Sequence, residues 1–263
     1  MTRTIQQLFD LNGKTALVTG GSRGLGLQLA HALGEAGARI MLTSRKAGDL
    51  EEAVADLQAA GIDARWIAAD ASKEEDIRRV ADETLQRMGD VHILVNNAGA
   101  AWGAPAEDHP VEAWDKLMNL NVRGYFILSQ HLAKKCMIPR NYGRIINIAS
   151  IAGLGGNPPE MQTLAYNTSK GAVINFTRAL GCEWGKYNIT VNAICPGFFP
   201  SRMTKGTLER LGEDQLAAHA PLRRLGDDED LKGTALLFAS DAGKHITGQW
   251  LAVDGGVSVV TGG

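Results

Sequence analysis

Lys14-Thr-Ala-Leu-Val-Thr-Gly-Gly-Ser-Arg-Gly-Leu-Gly26 is the stretch that decides the fold. A short apolar run leads straight into a glycine-rich turn, and the turn leads into Leu25–Ala36, where apolar residues recur at helical spacing. Gly20, Gly24 and Gly26 let the chain turn sharply, and they let the backbone N–H groups around Ser22, Arg23 and Leu25 approach a pyrophosphate. The positive end of the helix dipole favours the same anion. A glycine-rich turn alone carries little weight, but this one follows the first strand and opens a helix, which is the context the chemistry needs.

The same alternation continues to the C-terminus. Short aliphatic or β-branched runs stand at Lys14–Thr19, Ala38–Thr43, Ala64–Ala69, His92–Asn96, Arg144–Ala149, Ile189–Cys195 and Trp250–Val253. Between them the spacing predicts helices over Leu25–Ala36, Leu50–Ala60, Glu74–Met88, Val111–Cys136, Leu164–Lys186 and Asp228–Ser240. Strand and helix in turn imply a parallel sheet with right-handed crossovers and helices on both faces. Runs such as Ala16-Leu-Val18 are continuously apolar, as strands buried on both faces must be. The expectation is one α/β domain over residues 1–263, a doubly wound, Rossmann-type, three-layer fold on a parallel sheet of about seven strands. No composition break marks a linker. Two irregular stretches, Gly153–Thr163 and Pro196 to about Pro221, read as binding loops or lids.

Composition narrows the function classes. A formal net charge of −2 argues against a nucleic-acid surface. The pairs Lys134-Lys135 and Arg223-Arg224 are too short to build one, and the acidic run Asp227–Asp230 reads as a helix start. The three cysteines, Cys136, Cys182 and Cys195, show neither metal-ligand spacing nor a disulfide framework, which fits a reducing cytosol. The six histidines include no pair at i, i+4, so no metal site is expected. The N-terminus lacks an apolar signal core, and no apolar run approaches the roughly 20 residues that span a bilayer.

The glycines at 20, 24 and 26 are spaced more widely than in the Gly-x-Gly-x-x-Gly turn of larger dinucleotide-binding enzymes. That spacing, with Asn96-Asn-Ala-Gly99, Tyr166-Asn-Thr-Ser-Lys170, Pro196-Gly197 and Val253-Asp-Gly-Gly256, resembles the short-chain dehydrogenase/reductase family over nearly the whole chain. The resemblance implies an enzyme that moves a hydride between nicotinamide and a carbonyl or alcohol carbon. It assigns Asp70, with Ala71 beside it, to the adenine, and lays Asn97, Ala98 and Gly99 against the cofactor. Asn96 has a structural alternative, tying neighbouring loops together. Pro196-Gly197 would lie over the nicotinamide, and Ser201, where the family often has threonine, would bond its carboxamide. A homo-oligomer, tetramer or dimer, is implied as well.

The end of the second strand bears on the choice of nucleotide. An acid there bonds the ribose 2′-hydroxyl of NAD, whereas a cation accommodates the 2′-phosphate of NADP. The strand ends at Thr43-Ser44-Arg45-Lys46, with no acid until Asp49. Arg45 offers a forked, charge-assisted grip on a phosphate, and Arg23 in the glycine turn is expected to point the same way. NADP(H) is therefore favoured, with room left for NAD(H).

Tyr166 and Lys170, at i and i+4, share one helix face. Carbonyl reduction needs a proton donor beside the forming alkoxide, and a free phenol has a pKa of about 10. A lysine cation at about 4 Å is worth roughly 4 kcal/mol at an effective dielectric of 20. That is enough to lower the phenol by about three pKa units. Ser150 follows the fifth strand, where ligands meet an open α/β sheet, and its hydroxyl can donate to the substrate oxygen. Asn121 matches the family's active-site asparagine, implied to hold a water against Lys170; Asn119 is a nearby decoy. The Ser150–Tyr166 interval is somewhat longer than the family's usual one, which places extra residues around Gly156–Pro159 beside the substrate. Intact Asn121, Ser150, Tyr166 and Lys170 argue against a non-catalytic NADP-binding regulator or a purely structural subunit.

The substrate is a small molecule whose identity no motif reads out. The stretch Pro196–Thr204 resembles bacterial 3-oxoacyl reductases, and the opening Leu8–Lys14 resembles gluconate 5-dehydrogenase-like members. Leu154, Met161, Phe198, Phe199 and Met203 in the two loops suit an acyl chain, so a 3-oxoacyl thioester or similar apolar ketone is expected, with a sugar acid as the alternative.

Overall fold

The computed structural model describes residues 2–260; Met1 and residues 261–263, included in the single-domain reading, lie outside them. Seven strands form one sheet: β1 Thr15–Thr19, β2 Arg39–Ser44, β3 Ala64–Ala68, β4 Ile93–Asn96, β5 Gly143–Ile148, β6 Ile189–Pro196 and β7 Trp250–Val253. Their order is β3-β2-β1-β4-β5-β6-β7, and every pairing is parallel. The chain winds outward from β1 in one direction and from β4 in the other. The crevice beyond the carboxyl ends of β1 and β4 is the switch point where such sheets bind ligands.

The apolar strands serve two layers at once. Val18, Leu42 and Val95 face Leu29 and Leu33 of α2 (Gly24–Glu35), Leu50 and Leu57 of α3 (Ala47–Ala59) and Phe238 near the C-terminus. Their neighbours Leu17, Met41 and Leu94 face the other way, onto Val80 of α4 (Glu74–Met88) and Leu128 further along. Leu17 and Leu94 are fully buried, each worth roughly 2 kcal/mol over exposure. One step towards the carboxyl end the second face turns polar. Asn96 Nδ2 donates to Ser129 Oγ (3.1 Å) and Asn147 Oδ1 (2.9 Å), and Asn147 Nδ2 donates to Thr177 Oγ1 (2.9 Å). Asn96 thus ties strands together beneath the site, the structural one of its two expected roles.

Several elements differ from expectation. A short helix, α1 (Ile5–Phe9), precedes β1, started by a Thr4–Gln7 capping box. The helix expected over Val111–Cys136 runs on to Arg140 and is broken by two π turns, Asn119–Arg123 and Ala133–Met137. The stretch from Pro196 to Pro221 contains two helices, Lys205–Leu211 and Glu213–His219. Leu164–Trp184 is the 21-residue helix that follows the first loop. The last helix covers only Lys232–Ala239, so the acidic run is not its first turn. Instead Asp230 binds Arg224 (2.5 and 2.6 Å), and that contact holds its carboxyl down at about 2. No helix among the described residues is long and apolar enough to cross a membrane.

Candidate active site

Gly20 (φ +62°) and Gly24 (φ +50°) occupy the left-handed region that suits glycine. At Gly26 a Cβ would lie 2.3 Å from the Gly20 carbonyl oxygen, so only glycine lets the helix start so close to the turn. Asn97 holds the turn from outside: its Nδ2 donates to the carbonyls of Thr19 (2.9 Å) and Gly20 (3.1 Å). Thr19 Oγ1 accepts from the N–H groups of Asn97 (2.9 Å) and Ala98 (3.0 Å). The ends of β1 and β4 are stitched together at the switch point by these bonds. Arg23 is the N-cap of α2 but gives it no side-chain cap, which leaves the first-turn N–H groups around Gly24, Leu25 and Gly26 available to an anion. A Cβ on Gly24 would meet only Ser201, at 3.8 Å, so the turn at half-buried Ser22 and Gly24 opens towards the second loop. Space kept open by glycine, unclaimed donors and the helix dipole fit a pyrophosphate.

Ser44 ends β2, and Arg45 follows it, exposed. Arg45 makes no hydrogen bond or ion pair among the described residues, whereas Arg23 does: its Nη2 meets Asp49 Oδ2 at 2.5 Å. Asp49 stands in the first turn of α3, which brings it to Arg23. Asp70, just past β3, accepts from Ser72 N (3.0 Å) and Ser72 Oγ (2.7 Å). Burial pushes its pKa up, but the Ser72 bonds and the charges of Arg45 and Lys73 outweigh that and hold the carboxyl below its ordinary range. The Ala71 carbonyl lies where a Cβ on Gly124 would be, at 2.6 Å, so Gly124 lets that helix seat against the loop.

The four expected catalytic residues converge beyond β4 and β5. Ser150 caps the 3₁₀ turn Ile151–Gly153; its Oγ accepts from Ala152 N (3.1 Å), which leaves its hydroxyl proton to be donated elsewhere. Gly153 packs so tightly on the Leu164–Trp184 helix that a Cβ would lie 2.5 Å from the Lys170 carbonyl carbon, fixing the serine turn against the helix that carries Tyr166 and Lys170. Lys170 is buried, its Nζ donates to Ile148 O (2.7 Å), and it sits 5.7 Å from the Tyr166 ring and 5.9 Å from that of Tyr125. Asn121 is fully buried in the first π turn. Its amide exchanges two bonds with the Ala100 backbone (3.0 Å each) and donates to Ser169 Oγ (3.0 Å). A Cβ on Gly99 would stand 3.2 Å from Asn121 Oδ1 and 3.6 Å from Lys170 Nζ, so the glycine keeps clear the space those two flank. Asn119 instead donates to Ser72 O (3.1 Å), outside the cluster.

The electrostatics correct one expectation. Burial raises the Tyr166 phenol, opposed by a hydrogen bond with Ser150, and Lys170 does not bring it down. The lysine has turned onto the Ile148 carbonyl and is itself desolvated, which pulls its own pKa down to about 8. The phenol therefore holds its proton at neutrality, as a donor should.

The second loop begins as Pro196 ends β6, and Gly197 packs where a Cβ would meet Asp254 at 2.7 Å. Ser201 Oγ pairs with Thr204 Oγ1 (2.9 Å) and accepts from Thr204 N (3.2 Å), and Thr204 Oγ1 also donates to Phe199 O (2.6 Å). Phe199 is not a pocket residue. It is 3% exposed and lies in the core, its ring 2.4 Å from where Gly226 would carry a Cβ. Leu154, Met161 and Phe198 are half-buried, and Met203 is exposed.

Residues 14–212 match the short chain dehydrogenase family. The chain belongs to the short-chain dehydrogenase/reductase family. Gluconate 5-dehydrogenase of Gluconobacter oxydans is 37% identical over 257 residues, covering 96% of this chain and 97% of its own. The rhamnolipid-biosynthesis 3-oxoacyl-[acyl-carrier-protein] reductase of Pseudomonas aeruginosa is 40% identical over 256 residues, covering 94% and 97%. Among solved structures, a gluconate 5-dehydrogenase of Burkholderia cenocepacia in complex with NADP and tartrate superposes with a TM-score of 0.92 at 33% identity, covering 98% of this chain and 100% of that one. As a member of this family the dehydrogenase is an oxidoreductase acting on CH–OH and C=O groups.

Sequence reasoning missed four contributors to this dehydrogenase's site. Thr19 and Ser169 organise the loops through their hydroxyls, and Ser169 Oγ also donates to the Tyr166 carbonyl (2.8 Å). Cys195 lies behind Ser150 and Lys170, its thiol pushed by burial to about 11 and so kept neutral. Asp49 is the fourth; its position four residues after Arg45, on a helix start, was the signal available.

Proposed function

We propose that this dehydrogenase interconverts a ketone and a secondary alcohol with NADP(H), and that the ketone is a 3-oxoacyl thioester or similarly apolar. When bound, the nicotinamide nucleotide supplies or accepts the hydride. The first turn of α2 would hold its pyrophosphate, Arg45 and Arg23 its 2′-phosphate, and Asp70 with Ala71 its adenine. Asn97, Ala98, Gly99, Pro196, Gly197 and Ser201 would line the nicotinamide half. In reduction Tyr166 gives its proton to the substrate oxygen, and Ser150 donates a second hydrogen bond to that oxygen. Lys170 binds the ribose, and the space between it and Asn121 admits a water that restores the proton.

The observation behind the substrate class is the wall formed by two loops. Ala104 N donates to Gln162 O (2.9 Å), and Gly103 is pressed against the carbonyls of Met161 and Gln162. Trp102, 42% exposed, precedes this contact and packs edge-on against His109, 5.0 Å between ring centroids. The ionisable side chain on the Pro158–Thr163 side is Glu160, whose charge repels an acid. A sugar-acid substrate is the second reading, supported by exposed Arg202 in the second loop and by the gluconate dehydrogenases among the relatives. Steady-state kinetics with NADPH on acetoacetyl thioesters and on 5-ketogluconate decides between them. The apolar reading requires the higher kcat/KM on the thioester; a clear preference for ketogluconate replaces it and leaves the hydride-transfer mechanism standing. A homo-oligomer is also proposed, on the exposed Trp250 and Leu251 of the edge strand β7, and light scattering of the eluting protein tests it.

A further inference from the structure

Two arginines flank the position proposed for the nucleotide's ribose, but they are not equivalent. Arg45 is exposed and has no partner among the described residues. Arg23 is already engaged by Asp49 at 2.5 Å, and that contact joins the glycine turn to the start of α3. Both side chains are partly exposed, Arg23 at 45% and Asp49 at 31%, so the pair is accessible to an incoming anion.

We infer that Asp49 is a specificity-determining residue that limits the preference for NADP(H) over NAD(H). The inference rests on the cofactor reading above. A ribose 2′-phosphate carries close to two negative charges and seeks the guanidinium fork of Arg23. To take it, the phosphate must share or displace the Asp49 carboxylate and then tolerate that carboxylate nearby. A nucleotide with a free 2′-hydroxyl leaves the Arg23–Asp49 pair intact and meets no such cost. Asp49 therefore acts against one nucleotide and not the other, through Arg23 and through its own charge. It stands too far along the chain to be the usual strand-end acid; the first turn of α3 brings it back.

The test is calorimetric binding of 2′,5′-ADP and of 5′-AMP to the full-length protein, comparing wild type with Asp49→Asn and with Asp49→Ser, two replacements that keep a small polar group at the start of α3. Both variants should bind 2′,5′-ADP about threefold to fivefold more tightly, the upper range for releasing an exposed ion pair. Binding of 5′-AMP should not change, and the gain should shrink as salt rises. Unchanged or weaker 2′,5′-ADP binding overturns the inference, as does an equal gain for both ligands, which a merely structural role would produce. Wild type alone tests the cofactor reading: it must bind 2′,5′-ADP more tightly than 5′-AMP. Should wild type show no preference while the variants acquire one, the cofactor reading falls and the role of Asp49 stands.

Discussion

Lys170→Met removes a cation that the fold buries at 4% exposure against a carbonyl and two aromatic rings, with no carboxylate partner among the described residues. Burial pulls the ammonium from its ordinary 10.5 to about 8. A lowered pKa in the folded state means that the unfolded chain binds the proton more tightly. The penalty is therefore fully present below pH 8 and is relieved as the pH rises from 8 towards 10.5. That interval corresponds to about 3 kcal/mol. Against it stands the 2.7 Å bond to Ile148 O, worth about 1.5 kcal/mol as a charge-assisted bond, and the Tyr125 hydroxyl still reaches that oxygen at 3.4 Å. Methionine has nearly the same length and leaves little cavity. The variant should be more stable than wild type by about 1–2 kcal/mol at pH 7, with the advantage shrinking by pH 10, and it should lose turnover. Urea unfolding of the nucleotide-free protein at both pH values measures this. A variant less stable at pH 7, or a difference that ignores pH, would mean that Lys170 is not held at a cost to the fold.

Arg45→Ala should weaken NADPH at least about tenfold, the value of one charge-assisted hydrogen bond to a phosphate, and leave NADH nearly unchanged; fluorescence titration reads both, and an equal loss removes Arg45 from the phosphate site. Arg144, 1% exposed at the start of β5, binds Asp241 at 3.0 Å and lies 4.4 Å over the Tyr142 ring. Arg144→Ala should destabilise the protein by about 3 kcal/mol, because a fully buried large side chain leaves a cavity, while Asp241, 30% exposed, keeps its bond to Arg3; urea unfolding showing less than about 1 kcal/mol contradicts that.

The middle of the sheet was legible because burial on both faces writes β1 and β4 as unbroken apolar runs. Ala16-Leu-Val18 and Ile93-Leu-Val95 could serve no other purpose, and all seven strands lie within a residue or two of where the sequence puts them. The glycine turn and the Tyr166–Lys170 pair were legible because their chemistry is local. What depends on distant neighbours was not. The π turn at Asn121 differs from an α-helix by one residue of register, which periodicity does not resolve. Phe199 looks like a pocket residue until Gly226, 27 positions later, makes room for its ring. The state of Lys170 depends on which carbonyl it meets, and the Arg23–Asp49 pair on two elements that the sequence keeps 26 residues apart. The helices at Lys205–Leu211 and Glu213–His219 bury one leucine each, too little to show as an amphipathic pattern.

Tyr166→Phe isolates the proton donor, because only the phenolic oxygen and its proton are lost. NADPH-dependent reduction of the best ketone in a substrate panel should be followed in purified variant and wild type, with thermal unfolding and NADPH binding measured on the same samples. The variant should keep its fold and an NADPH affinity close to wild type, with kcat lower by about a hundredfold to ten-thousandfold, the range for a positioned acid. A folded, NADPH-binding variant that retains kcat within about tenfold of wild type, well short of that range, would mean that Tyr166 is not the proton donor.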